Sequence, residues 1–228
     1  MSACLPIFAI RPEPGLAATI AAGHQAGLGI EGAALFAIRP VAWSPPEPAG
    51  VDGLLLGSAN ALRHGGRALA VFQGKPAYVV GAATADAARQ AGLAIARTGS
   101  GGLQQVLDGL EGHKLVLLRL AGAEHVPLRP PQGVTVVERI VYEAIAMPMP
   151  PDLAGQLRKG GVVLLHSAGA ARHFASECSR LDLPRSTIRL AALGPRIAQA
   201  AGGGWAAVAA AADPRESVLL ALARDMCH

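Results

Sequence analysis

At 228 residues the chain suits two domains of about 100 residues each, and a 51% apolar share against 16% charged residues excludes a disordered protein. The net charge of +4 comes without a long run of Lys or Arg, so a nucleic-acid track is not expected. No apolar stretch approaches the roughly 18 residues of a membrane span, and the chain is expected to be soluble and cytoplasmic.

Arginine far outnumbers lysine. A guanidinium fork meets a carboxylate bidentately, which suits a small acidic ligand, although coding bias accounts for the excess equally well. Cys4, Cys178 and Cys227 make no CxxC and no evident pairing, as expected in a reducing compartment. The opening MSACLPIFAIRPEPG lacks the basic and apolar regions of a signal peptide.

In chain order, residues 5–10 read as a short buried strand, and Pro12 with Pro14 start a helix through about 26. Gly27-Leu-Gly29-Ile-Glu-Gly32 spells the dinucleotide fingerprint GxGxxG. It follows a helix and precedes a strand, the reverse of the context that motif needs, so it reads as a helix-ending glycine turn. Val51–Leu56, Ala77–Val80, Lys114–Leu118, Gly161–Leu165 and Ile188–Leu193 are further strands. Each meets a Gly, Ser or Arg turn and then a helical stretch, the alternation of parallel sheets covered on both faces. A last helix begins near Pro214, with Glu216 in its first turn and Arg224 in its last.

One unit is written twice. LLLGSANALRH at 54–64 matches VLLHSAGAARH at 163–173, and each is followed by a strand ending in glycine that opens a helix, at 78–92 and 190–202. Two similar α/β halves follow, with small polar turns at their strand ends. A cleft between such halves is expected to take a large anionic ligand. The proline clusters at 43–48 and 147–151 punctuate the chain, and the β-prone stretches beside them read as two extended connectors. The expected layout is 1–37 plus 145–228 as a discontinuous domain, 43–137 as an inserted one, and 36–42 and 135–144 as connector strands.

Two chemistries fail on inspection. His166-Ser167-Ala168-Gly169 resembles a nucleophile elbow, but Leu165 stands where the tight turn needs a small residue. A serine hydrolase would also need one of His24, His64, His125 or His173 as its base. The seven histidines fall at no metal-ligand spacing and there is no P-loop, so no metal and no nucleotide cofactor are expected.

In order and spacing, IRPEPG, VDGLLLGSANALR, YVVGAATADAAR, LVLLRLAGAE, IVYEA, VVLLHSAGAARHF and LAALGPRIAQAAG together resemble the uroporphyrinogen-III synthase family. The resemblance implies two flavodoxin-like α/β domains with parallel sheets, joined by a two-stranded β connector. It implies a cofactor-free lyase of porphyrin and heme biosynthesis, a monomer that cyclises the linear tetrapyrrole hydroxymethylbilane to uroporphyrinogen III with inversion of the last ring. Partners are then the tetrapyrrole and, transiently, the preceding pathway enzyme, with no nucleic acid and no membrane. A non-catalytic tetrapyrrole binder on the same scaffold is the alternative.

Carried over by resemblance, Tyr142 of IVYEA is the candidate catalytic acid, or else a connector tyrosine packed for structure. Ser58, Asn60, Thr84, Ser167 and Gly169 match turns that hold substrate carboxylates, or act as ordinary helix caps. Arg11, Arg119, Gly122 and Arg196 complete the binding set. The chain departs from the family pattern at Ile10 and Gly57, where threonine is common, at Glu124, where a second arginine is lost, and at Arg196-Ile197.

Overall fold

Runs of Leu, Val and Ile too apolar for a half-exposed strand form the middle of two parallel sheets: Gly53–Leu56 and Gly161–Leu165 are buried along their whole length. The computed structural model describes residues 4–228. The elements run β1 (Ile7–Ala9), α1 (Gly15–Gln25), β2 (Ile30–Gly32), β3 (Phe36–Pro40), β4 (Gly53–Leu56), α2 (Ala59–His64), β5 (Pro76–Val80), α3 (Ala82–Gln90), β6 (Ala94–Gly99) and α4 (Leu103–Asp108). They continue with β7 (Leu115–Gly122), β8 (Val134–Ala146), α5 (Pro151–Leu157), β9 (Gly161–Leu165), α6 (Ala168–Arg180), β10 (Ile188–Ala192), α7 (Pro195–Ala200), β11 (Ala207–Ala210) and α8 (Glu216–Met226). The chain divides into two units, Met1–Ala37 with Ile145–His228, and Ile38–Ala144. It leaves the first unit within β3 and returns near the end of β8, and these strands are neighbours, with Val41 N–H donating to Val141 O at 3.0 Å.

The first unit holds the sheet β11-β10-β9-β1-β2, with parallel pairing throughout. Counted along the chain this is the 2-1-3-4-5 order of flavodoxin. The second holds β6-β5-β4-β7-β8 in parallel with β3 at its edge, an order of 3-2-1-4-5 among the parallel strands. The two orders are circular permutations of one arrangement. Strands β4, β5 and β6 stand where β9, β10 and β11 stand, and β7 and β8 where β1 and β2 stand. The repeated segments therefore occupy the same place, a central strand followed by a serine-capped helix.

Strand alternation sends side chains to opposite faces. Val163 and Leu165 join Phe8, Phe174 and Leu190 in one layer, whereas Val162 and Leu164 join Ile7, Leu219 and Leu220 in the other. In the second unit Leu54 and Leu56 pack with Phe72 and Leu118, and Leu55 packs with Val106, Leu107 and Leu117.

Gly27 follows α1 at φ 72°, the left-handed turn in which GxGxxG was expected to end a helix. The cysteine reading is corrected. Cys4 and Cys227 form a disulfide across 223 residues, because β1 brings Leu5 beside α8, where its N–H donates to Cys227 O at 2.8 Å. Spacing along the chain carries no trace of that meeting, and cysteine usage no longer argues for a reducing compartment. Strands β6 and β11 add to the strands that the apolar pattern predicts: the first is an exposed edge without an apolar run, and the second is the alanine-rich AVAA, which carries helical propensity. Pro214 lies outside α8, whose first residue is Glu216.

Candidate active site

Because β1, β2 and β9–β11 in one sheet and β4–β8 in the other are parallel, the turns after them gather on one edge of each sheet, where open α/β sheets bind ligands. In the first unit Ser167 follows β9 as the N-cap of α6, its Oγ accepting from Ala170 N–H at 3.1 Å, with Gly169 in the helix's first turn. Arg196 is exposed in α7, after β10, and has no hydrogen-bond or ionic partner among the described residues. Arg11, just past β1, donates to Thr19 Oγ1 at 3.3 Å and to Glu216 Oε2 at 3.4 Å.

That carboxylate is the centre of a network. The buried Thr19 hydroxyl donates to Glu216 Oε1 at 2.6 Å, and His166 Nε2 lies 3.1 Å from Oε2. Burial pushes the Glu216 carboxyl up, but hydrogen bonds and charge from His166, the Thr19 hydroxyl and Arg11 outweigh it and leave it below its ordinary value. His166 itself is 7% exposed, and its Nδ1 is buried without a partner.

In the second unit Ser58 caps α2, its Oγ accepting from Asn60 N–H at 3.2 Å, while Asn60 Oδ1 accepts from Arg63. Thr84 is buried in the first turn of α3. Arg119 lies within β7 with its side chain 6% exposed, donating to Glu138 Oε2 and to Val126 O, each at 2.9 Å. Its two terminal nitrogens are engaged inside the unit, while its Nε is buried without a partner.

Tyr142 sits where β7 and β8 slip register: Ala121 faces Ile140, but Gly122 faces Tyr142. Such a bulge re-aims a side chain. The half-buried ring rests on Gly122, where an added Cβ would stand 2.7 Å from Tyr142 Cε2 and 3.0 Å from its hydroxyl. His64 lies 6.4 Å away between ring centroids, its pKa lowered by burial and by Arg63.

A phenol O–H can donate a proton, and the capped helix N-termini of both units present N–H groups from which carboxylates can accept. The sequence profile of uroporphyrinogen-III synthase HemD matches residues 36–221, most of the chain. The chain belongs to the uroporphyrinogen-III synthase family. No curated protein matches it in sequence. Among solved structures, uroporphyrinogen-III synthetase from Helicobacter pylori 26695 is similar at a TM-score of 0.66 and 16% identity, covering 97% of this chain and 99% of that one. A mutant uroporphyrinogen III synthase from Thermus thermophilus is similar at 0.53 and 19%, covering 97% and 98%. These likenesses show the two-sheet synthase fold.

Within that family frame, Ser58, Asn60, Ser167 and Gly169 stand on capped turns, Gly122 and Tyr142 stand together, and Arg11 and Arg119 are held by internal carboxylates. In the sequence, His166, Glu216 and His125 stand out only in other roles, as part of an elbow motif, a helix first turn and a candidate hydrolase base, and nothing singles out Thr19 or Glu138. Their partnerships depend on tertiary placement: strand pairing sets Arg119 opposite Glu138, and the N-terminus of α8 brings Glu216 to Thr19 of α1 and to His166 after β9. Cys4, Cys227 and His228 gather donor atoms within 4.8 Å, but the two sulfurs are bonded to each other. No helix among the described residues is long and apolar enough to cross a membrane.

Proposed function

We propose that the protein is a cyclising hydro-lyase that converts hydroxymethylbilane into uroporphyrinogen III, acting as a cytoplasmic monomer. The profile match over residues 36–221 carries this reading. The substrate's own pyrrole nitrogen pushes out the terminal hydroxyl, which departs as water once protonated, and leaves an azafulvene. The last ring then attacks the azafulvene methylene through its already substituted carbon, giving a spiro intermediate. The older bond from that carbon to the neighbouring ring's methylene breaks, leaving a second azafulvene. This is captured by the last ring's free α carbon, which rearomatises by losing its proton. Unaided closure gives the uninverted isomer, so the protein must control orientation more than proton transfer.

Tyr142 is assigned to protonate the departing hydroxyl. A phenol is a weak acid, and its contribution is expected at about 10²-fold. Support comes from its half-buried ring on Gly122 at the bulge. The capped turns at Ser58 and Ser167 and the first turn of α3 at Thr84 present backbone N–H groups for substrate carboxylates. The test is a coupled assay from porphobilinogen with a deaminase, scoring type III against type I product. An excess of type III supports the reading, and type I alone at the uncatalysed rate sinks it.

A further inference from the structure

The turn after β7 is built around a residue that the proposed chemistry leaves unused. Arg119 and Glu138 face each other in register across β7 and β8, joined at 2.9 Å. With its side chain 6% exposed, Arg119 carries a buried charge that requires this partner. The other oxygen of Glu138, Oε1, lies 2.7 Å from Nε2 of His125, whose side chain is 24% exposed. On its far side, His125 Nδ1 lies 2.8 Å from the carbonyl oxygen of Gly122. Both partners are oxygen acceptors, so a ring nitrogen that carries hydrogen donates to the oxygen beside it.

Gly122 is the residue on which Tyr142 rests, and the contact is at the hydroxyl end of the ring: a Cβ there would meet Cε2 at 2.7 Å, Cζ at 2.8 Å and the hydroxyl at 3.0 Å. The next residue is tied in as well, Ala123 N–H donating to Tyr142 O at 2.9 Å. An unbroken line of contacts thus runs from a buried ion pair, through an imidazole, to the backbone beneath the phenol.

We propose that His125 is a positioning residue for Tyr142, acting through the Gly122 carbonyl while Glu138 and Arg119 hold the imidazole. A bulge lacks a regular ladder to fix it. The histidine supplies the missing bond, so the hydroxyl of Tyr142 is offered at one place. The proposal rests on the reading of Tyr142 as the proton donor, and its structural half stands apart from that reading.

The test labels the protein with 3-fluorotyrosine, which reports on Tyr78 and Tyr142 alone, with Tyr142→Phe assigning the signals. In His125→Ala the Tyr142 fluorine resonance shifts or broadens and that of Tyr78 stays, while kcat falls about tenfold with KM nearly unchanged. Two further variants separate positioning from general stability and serve if the alanine variant does not fold. His125→Asn keeps a donor within reach of the Gly122 carbonyl and restores both the resonance and most of the rate. His125→Gln, whose donor lies farther out toward Glu138, restores neither. An unmoved Tyr142 resonance in folded His125→Ala, or equal behaviour of Asn and Gln, overturns the proposal. A moved resonance in a protein whose wild type makes only type I product leaves the positioning intact and sinks the functional reading.

Discussion

Replacing Glu177 by Gln removes a buried carboxylate that ties the segment between β8 and α5 to α6 within the first unit. Its Oε2 accepts from Met149 N–H at 2.6 Å and from Arg180 Nη2 at 2.7 Å, and its Oε1 from Arg180 Nε at 2.7 Å. The Arg180 hydrogen bonds pull the carboxyl down, burial opposes them, and the Met149 amide with the Arg180 and His173 charges completes a fall from 4.5 to about 2. A shift of that size is worth about 3 kcal/mol, reduced to about 2 because Arg180 is half exposed and its charge is screened. The sign follows from linkage. The unfolded carboxyl takes up its proton first, so the stabilisation is whole above about 4.5 and is lost as pH falls toward about 2. In a Trp43→Phe background, Trp205, stacked on Phe174, reports unfolding of this unit in urea. Glu177→Gln is expected to cost about 2 kcal/mol at neutral pH, with the two proteins converging in acid. A difference that stays constant across that range, or one below about 0.5 kcal/mol at neutral pH, refutes the reasoning.

Tyr142→Phe is expected to lower turnover by about 10²-fold in the coupled assay while product remains mostly type III, because the hydroxyl aids departure and inversion depends on orientation. If backbone N–H groups do most of the gripping, Ser167→Ala raises KM by about fivefold, the scale of one hydrogen bond, and Gly169→Val or Ser58→Pro does more harm by displacing the amides. Arg196→Ala is then mild, and a KM rise of more than about tenfold there, with Ser167→Ala near wild type, reverses the assignment. Thiol titration of the unreduced native protein should find no fast-reacting group, since Cys4 and Cys227 are joined and burial pushes Cys178 up to about 12. One thiol should appear on unfolding and two more on reduction, and a fast native thiol counts against the pairing.

The central strands and their caps were legible because they are written in local language: an apolar run, a serine, a helix. Ser58 and Ser167 accept the helix N–H bonds that their positions announced. Edge strands were not legible, since β6 has almost nothing to bury. The arginines were only half legible. Arg11 and Arg119 read as free cations for an acidic ligand, and the structure gives each an internal carboxylate, Glu216 from 205 residues away and Glu138 from 19. Such pairing depends on which strands and helices become neighbours, which no window along the chain contains.

The internal pairing of the arginines bears on how a flexible tetrapyrrole is held. A carboxylate ligand that bound Arg119 would have to displace Glu138 and leave it unpaired beside the His125 ring, at the cost of breaking a buried pair. A ligand bound by helix N–H groups displaces only water, and each amide is already aimed by its cap. The permuted units repeat this device at equivalent strands, so each unit offers its own small capped turn. Ring inversion requires the last pyrrole to turn while the other rings stay in place. Many weak, oriented bonds to peripheral carboxylates allow that, whereas one strong ion pair on the turning ring would hold it in a single pose. If the backbone does the gripping, as proposed, the paired Arg11 and Arg119 stay with their internal carboxylates when substrate binds, and of the three arginines only the exposed Arg196 is free to add a charge.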